Sequence, residues 1–293
     1  MKLPPLVRVV ARSLALAGFL AGALAAQILG LVVWKTRRTP AARARWLQRT
    51  AEGCRRILGV RVQCVGALPR RGLLVANHLS YLDIIVLAAR RPCAFVSKNE
   101  VRAWPVFGWC AQLGGTIFVD RTRRGDVARI SGPMRDALDA GLLVVLFPEG
   151  TSSGGASVLP FKSSLLEPAV HLRCPVSAAA LAYALTEGSV SDEICYWRDM
   201  TLLPHLLKVM TKPAIHASVR VGIARPHIGD RKTLARELHG EVQALHEASK
   251  SAARNSANRH SEELQSPLSP ASVPGNRSRH AKIPPSPLPP LRM

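Results

Sequence analysis

From residue 60 onward, short apolar runs alternate with stretches of helical periodicity. Residues 61–66, 73–76, 94–97, 115–119, 142–147, 176–183 and 215–223 read as strands. Residues 80–89, a stretch between 97 and 115, and residues 126–140, 165–172, 201–210 and 232–250 read as helices, the fifth of them despite Pro204. The run at 142–147 is wholly apolar, as expected of a strand buried on both faces. Helices interleaved with apolar strands predict an α/β fold, with a mixed, largely parallel sheet flanked by helices.

The amino-terminal region has a different pattern. Residues 13–34 form 22 consecutive positions without a charge, enough to match a hydrocarbon core of roughly 30 Å. A cleavable leader ending near Ala23-Leu24-Ala25 is the rival reading, but apolar sequence continues through Ile28, Leu29, Leu31, Val32 and Val33. Residues 41–58 read as an amphipathic helix, with Trp46, Leu47, Thr50, Cys54, Ile57 and Leu58 on one face and Arg45, Arg49 and Arg56 on another. Such a helix suits either a membrane surface or the flank of a domain, and Arg43 breaks its pattern. Together these stretches predict a membrane-attaching helical region over residues 1–58. A folded domain is expected over 59–250, and a disordered Ser-, Pro- and Arg-rich tail over 251–293.

Charge narrows the choice of partner. The chain carries a formal net charge of +21, which implies an anionic one. Residues 1–60 hold eleven basic residues against one acid, Glu52, around the most apolar segment, a placement that suits anionic lipid headgroups. Nucleic acid is not expected: aromatic content is 5% and no nucleic-acid-binding signature is present. The excess of basic residues after the apolar segment places the carboxyl-terminal side in the cytosol, at the cytoplasmic membrane. The six cysteines are scattered and no HExxH run occurs, so neither a disulfide framework nor a metal site is expected.

Candidate chemistry lies at the strand ends. Asn77-His78-Leu79-Ser80-Tyr81-Leu82-Asp83 connects a strand to a helix, where α/β proteins place reactive groups. His78 suits proton transfer near neutral pH, and Asp83 could fix its tautomer. An alternative is structural: Ser80 as helix N-cap and Asp83 as the acid of the first turn. Phe147-Pro148-Glu149-Gly150-Thr151 follows the apolar strand and offers backbone N–H groups to an anion or an oxyanion. Arg121 ends the strand at 115–119, placed to hold phosphate or to pair with Asp120, and Lys98 supplies another cation.

The order of these motifs resembles the glycerolipid acyltransferase family, the superfamily of 1-acylglycerol-3-phosphate acyltransferases. The resemblance covers roughly residues 60–225, with softer matches at Lys98, Pro105, Gly108 and Phe161-Lys162. It implies an α/β sheet preceded by a membrane-attaching helical region. It also implies transfer of a fatty acyl group from acyl-carrier protein or acyl-CoA to the hydroxyl of a lysolipid, with no further cofactor. His78 and Asp83 would be catalytic, and Asn77, Lys98, Arg121, Glu149, Gly150 and Thr151 would bind substrate. Two departures bear on the acceptor. Ser152 and Ser153 follow Thr151, where lysophosphatidate enzymes often have Arg, and Ser163-Ser164 follow Lys162. The commonest family acceptor, 1-acyl-sn-glycerol-3-phosphate, is the default; the departures resemble the subgroup that acylates lyso-ornithine lipids.

Overall fold

Seven strands lie side by side in an order that differs from their order in the chain. The computed structural model describes residues 4–34, 38–120, 130–226 and 229–265, with side chains to residue 251. Its strands are β1 (Val60–Val65), β2 (Gly72–Ala76), β3 (Cys93–Lys98), β4 (Ile117–Val119), β5 (Leu143–Leu146), β6 (Val176–Ala184) and β7 (Ile215–Val221). The sheet runs β1-β7-β6-β2-β5-β3-β4. Every neighbouring pair is parallel except β6 and β7. The mixed, largely parallel sheet predicted from the alternation is therefore what forms.

β2 and β5 are buried at every position, which explains their continuous apolar character. Side chains alternate across β2: Leu74 and Ala76 join one core, Leu73 and Val75 the other. The first core is closed by α1 (Pro5–Val33), α2 (Pro40–Leu58), α3 (Leu82–Arg90) and, past α4 (Phe107–Gly114), α5 (Ser131–Asp139) and α6 (Glu167–Leu172), by α7 (Leu202–Thr211). The second takes Met134 and Ala137 of α5, Ala169 of α6, and Leu234, Leu238 and Val242 of α8 (Arg231–Gln265).

α8 continues past residue 250. Residues 251–265 contain no Pro or Gly and carry Ala, Arg, Glu and Leu, so the helix runs on to Gln265. The compact unit that holds the sheet ends at Asn255.

The amino-terminal helices belong to the same unit. α2 is capped at its start by Thr39, whose hydroxyl accepts from the Ala42 N–H, and at its end by Gly59 in the left-handed conformation. Its apolar face packs into the domain, which answers for that face the choice between lipid and protein. A Cβ at Gly53 would stand 2.1 Å from the Phe19 ring, so glycine is what lets α1 approach α2. Trp46 Nε1 donates to the Ala23 carbonyl at 3.1 Å.

Part of the basic charge also has structural partners. Arg12 donates to the carbonyls of Met210 and Lys212, and Arg8 to that of Thr211, at the carboxyl end of α7. Arg43 donates to Leu113 and Gln112 at the end of α4, which accounts for its place off the basic face. Guanidiniums there satisfy the last carbonyls of a helix and complement its dipole. Meanwhile Leu6, Val10, Leu14, Ile28, Leu29, Val32 and Trp34 stay exposed.

Candidate active site

Because β6, β2, β5 and β3 are successive parallel neighbours, their carboxyl ends meet at one edge of the sheet. The segments that leave those ends carry the candidate residues.

His78 lies just beyond β2. Its Nδ1 sits 2.8 Å from Asp83 Oδ2. A carboxylate accepts there, so in the neutral ring the proton sits on Nδ1 and Nε2 holds the lone pair. The imidazole stacks on Phe147, with centroids 4.3 Å apart and planes 15° from parallel. Its side chain keeps 21% exposure, while that of Asp83 has none. Asp83 Oδ2 also accepts from the N–H groups of Leu79 at 2.7 Å and Ser80 at 3.0 Å. Its Oδ1 accepts from the Tyr183 hydroxyl at 2.6 Å.

Asp83 therefore serves both readings: it reaches back to the backbone ahead of α3, and it orients His78. Ser80 does not. The residue flanking α3 is Tyr81, with no side-chain cap, and the buried Ser80 hydroxyl has no partner among the described residues.

Two proposed substrate contacts point into the protein instead. Asn77 is 1% exposed, donates to the Leu181 carbonyl at 3.0 Å and accepts from the Leu181 N–H at 2.7 Å. It extends the β2–β6 pairing by one side chain and fixes where the His78 segment leaves the sheet. Glu149 is 2% exposed. It accepts from the His78 N–H at 2.9 Å and the Leu159 N–H at 3.3 Å, so its carboxyl is spent on backbone. Gly150 closes a turn by donating to Phe147 O at 3.1 Å and has φ 73°, open to glycine. Lys98, Gly150 and Thr151 line a cavity with His78, and the exposed Thr151 is past that turn. Arg121 lies outside the described residues.

Burial pushes the Glu149 carboxyl up to about 8; its two N–H contacts oppose this, and the Asp83 charge adds to it. The folded chain thus keeps a proton that the unfolded chain releases above about 4.5. That contribution to stability is complete below the unfolded pKa and is lost as pH rises through the folded one. Glu149→Gln keeps an uncharged acceptor under His78. It should melt close to wild type near pH 5 and above it near pH 8. Thermal melts at both pH values check this, and equal losses in the two proteins would contradict it.

The cavity, about 340 Å³, is lined by His78 and by residues of α1, α2, α3 and α4. Leu16, Leu20, Leu47, Cys54, Leu58 and Ile85 line it together with His78, so a largely apolar slot includes the histidine in its wall. Two features escaped sequence reasoning. Tyr183 is hidden in the small-residue strand Val176–Ala184, and only the pairing of β6 beside β2 brings it to Asp83. Arg198 lines the same cavity from a segment without periodicity.

Comparison with known proteins decides the family. Residues 59–182 match the Acyltransferase family. A lyso-ornithine lipid O-acyltransferase of Brucella abortus is 38% identical over 208 residues, 65% of this chain and 77% of that one. The chain belongs to the acyltransferase family. A 1-acyl-sn-glycerol-3-phosphate acyltransferase of Neisseria gonorrhoeae is 35% identical over 150 residues, 48% of this chain and 59% of that one. In fold, this acyltransferase resembles the crystal structure of the 1-acyl-sn-glycerophosphate acyltransferase from Thermotoga maritima, with TM-score 0.63 and 19% identity. That likeness covers 84% of this chain and 95% of the other.

Proposed function

We propose that this acyltransferase moves a fatty acyl group from a thioester, acyl-carrier protein or acyl-CoA, to the hydroxyl of a lysolipid. The observation that carries the reading is His78, paired with Asp83, in the wall of an apolar slot. His78 Nε2 takes the hydroxyl proton as the oxygen attacks the thioester carbonyl, and Asp83 stabilises the imidazolium that forms. The proton then passes to the departing thiolate. A thioester is already activated, so transfer needs no acyl-enzyme. The slot takes an acyl chain, and the excess positive charge suits an acidic carrier protein or anionic lipid.

Membrane attachment rests on α1. Hydrogen bonds tie it to the domain at Arg8, Arg12 and Ala23, and Gln27 and Gly30 are buried farther along, yet apolar side chains at both ends stay exposed. A helix held along the domain in this way fits embedding in one leaflet better than crossing the bilayer.

Lysophosphatidate and lyso-ornithine lipid are both supported as acceptors by the relatives. Ser152 inclines the choice to the zwitterionic lyso-ornithine lipid, because the position that often carries Arg in lysophosphatidate enzymes is here a serine whose hydroxyl is tied to the Tyr196 carbonyl. Competition at equal concentrations of both lysolipids, with one acyl donor, measures the ratio of kcat/KM. Wild type should prefer lyso-ornithine lipid, and Ser152→Arg should shift the ratio toward the phosphate lipid. A preference for lysophosphatidate would return the assignment to the family's commonest acceptor.

A further inference from the structure

The segment 196–198 is clamped to both loops that build the site. The Tyr196 N–H donates to Leu79 O at 2.8 Å, one residue beyond His78. The Tyr196 carbonyl accepts from the Ser152 hydroxyl. Trp197 Nε1 donates to Ser191 O at 3.0 Å, and the ring lies so close to Gly154 that a Cβ there would stand 2.6 Å from it. The Met200 N–H closes a turn back to Trp197 O at 3.4 Å, with Arg198 inside the turn.

Arg198 is held in an unusual state. Its φ is 56°, left-handed for a non-glycine residue, and such strain persists where the surroundings over-determine the backbone. The guanidinium stacks over the Trp197 ring, 3.9 Å from its centroid. Stacking uses the π face of the group and leaves the in-plane N–H edge for a planar or tetrahedral anion. Among the described residues, no carboxylate forms an ion pair with it. It lines the cavity beside Gly150, Thr151 and Ser152.

We infer that Arg198 binds the anion of the acceptor's headgroup, a role that rests on the lysolipid reading above. It supplies from another segment the guanidinium that the loop after Thr151 lacks. The strained turn and the indole stack hold it in the cavity wall, so little side-chain freedom is lost on binding. The anion is a carboxylate in lyso-ornithine lipid and a phosphate monoester in lysophosphatidate; both accept two parallel N–H bonds.

The test uses the full-length protein, saturating acyl donor and a titration of each lysolipid. Arg198→Gly removes the guanidinium and relaxes the left-handed backbone, so a loss cannot be ascribed to a strained turn. The acceptor KM should rise about 10- to 100-fold, with kcat and the donor KM within about threefold, the signature of a lost ground-state contact. Arg198→Lys should recover part of the binding. The lyso-ornithine arm reads the carboxylate and the lysophosphatidate arm the phosphate; the rise belongs to whichever arm wild type uses. An unchanged acceptor KM in Arg198→Gly, or an equal rise with an uncharged monoacylglycerol, overturns the assignment while the acyltransferase reading stands. Wild type that transfers to no lysolipid overturns both.

Discussion

Asp83→Ala should fail in two ways at once. The carboxylate gathers the His78 ring, the N–H groups of Leu79 and Ser80, and the Tyr183 hydroxyl, and its side chain is wholly buried. Removing it leaves those donors without an acceptor and opens a cavity, a loss of order 3–5 kcal/mol. Some preparations would not fold, so the informative partner is Asp83→Asn. That variant keeps the volume and an acceptor, but an amide cannot stabilise an imidazolium. Acyl transfer should fall by about 10³–10⁴-fold with a much smaller loss of melting temperature. If Asp83→Asn lowers melting and leaves turnover intact, the residue does no more than tie down the start of α3.

His78→Ala should lower acyl transfer by about 10²–10⁴-fold, the usual share of a general base. Its effect on folding should be smaller than that of Asp83→Ala. The imidazole is partly exposed, and its loss removes one hydrogen bond and the stack on Phe147. The backbone bond from His78 N–H to Glu149 does not depend on the side chain. Matched circular dichroism and melting curves, taken with the rate, check that expectation.

Chain periodicity revealed the strands and the His–Asp spacing because both are local. β2 and β5 are apolar on both faces, so their runs stand out. A five-residue step from loop to first helical turn brings an imidazole and a carboxylate together without help from distant chain. Tyr183, Asn77 and Glu149 depend on which strands become neighbours. Nothing near Asn77 announces that β6, a hundred residues away, will present Leu181 to it. Glu149 looked available to a ligand because a charge at a strand end can face either way. Its inward turn follows from the His78 N–H above β5, a consequence of sheet order.

The basic residues show the same limit. Arg8, Arg12 and Arg43 contributed to a regional charge that suggested lipid headgroups. Their guanidiniums instead meet helix-end carbonyls, two of them about 200 positions along the chain. Arg198 was invisible for a related reason: its segment has no periodicity, and its value comes from a turn locked to two loops distant in sequence.

The most direct measurement is acceptor-dependent release of thiol from an acyl thioester. It would use full-length wild type and a His78→Ala variant shown to melt within a few degrees of it, with lyso-ornithine lipid or lysophosphatidate added. Wild type should release thiol only when lysolipid is present and form an equal amount of diacyl product. His78→Ala should lose about 10²–10⁴-fold of that rate. A folded His78→Ala variant that makes diacyl product at the wild-type rate would contradict the assignment of His78 as the base.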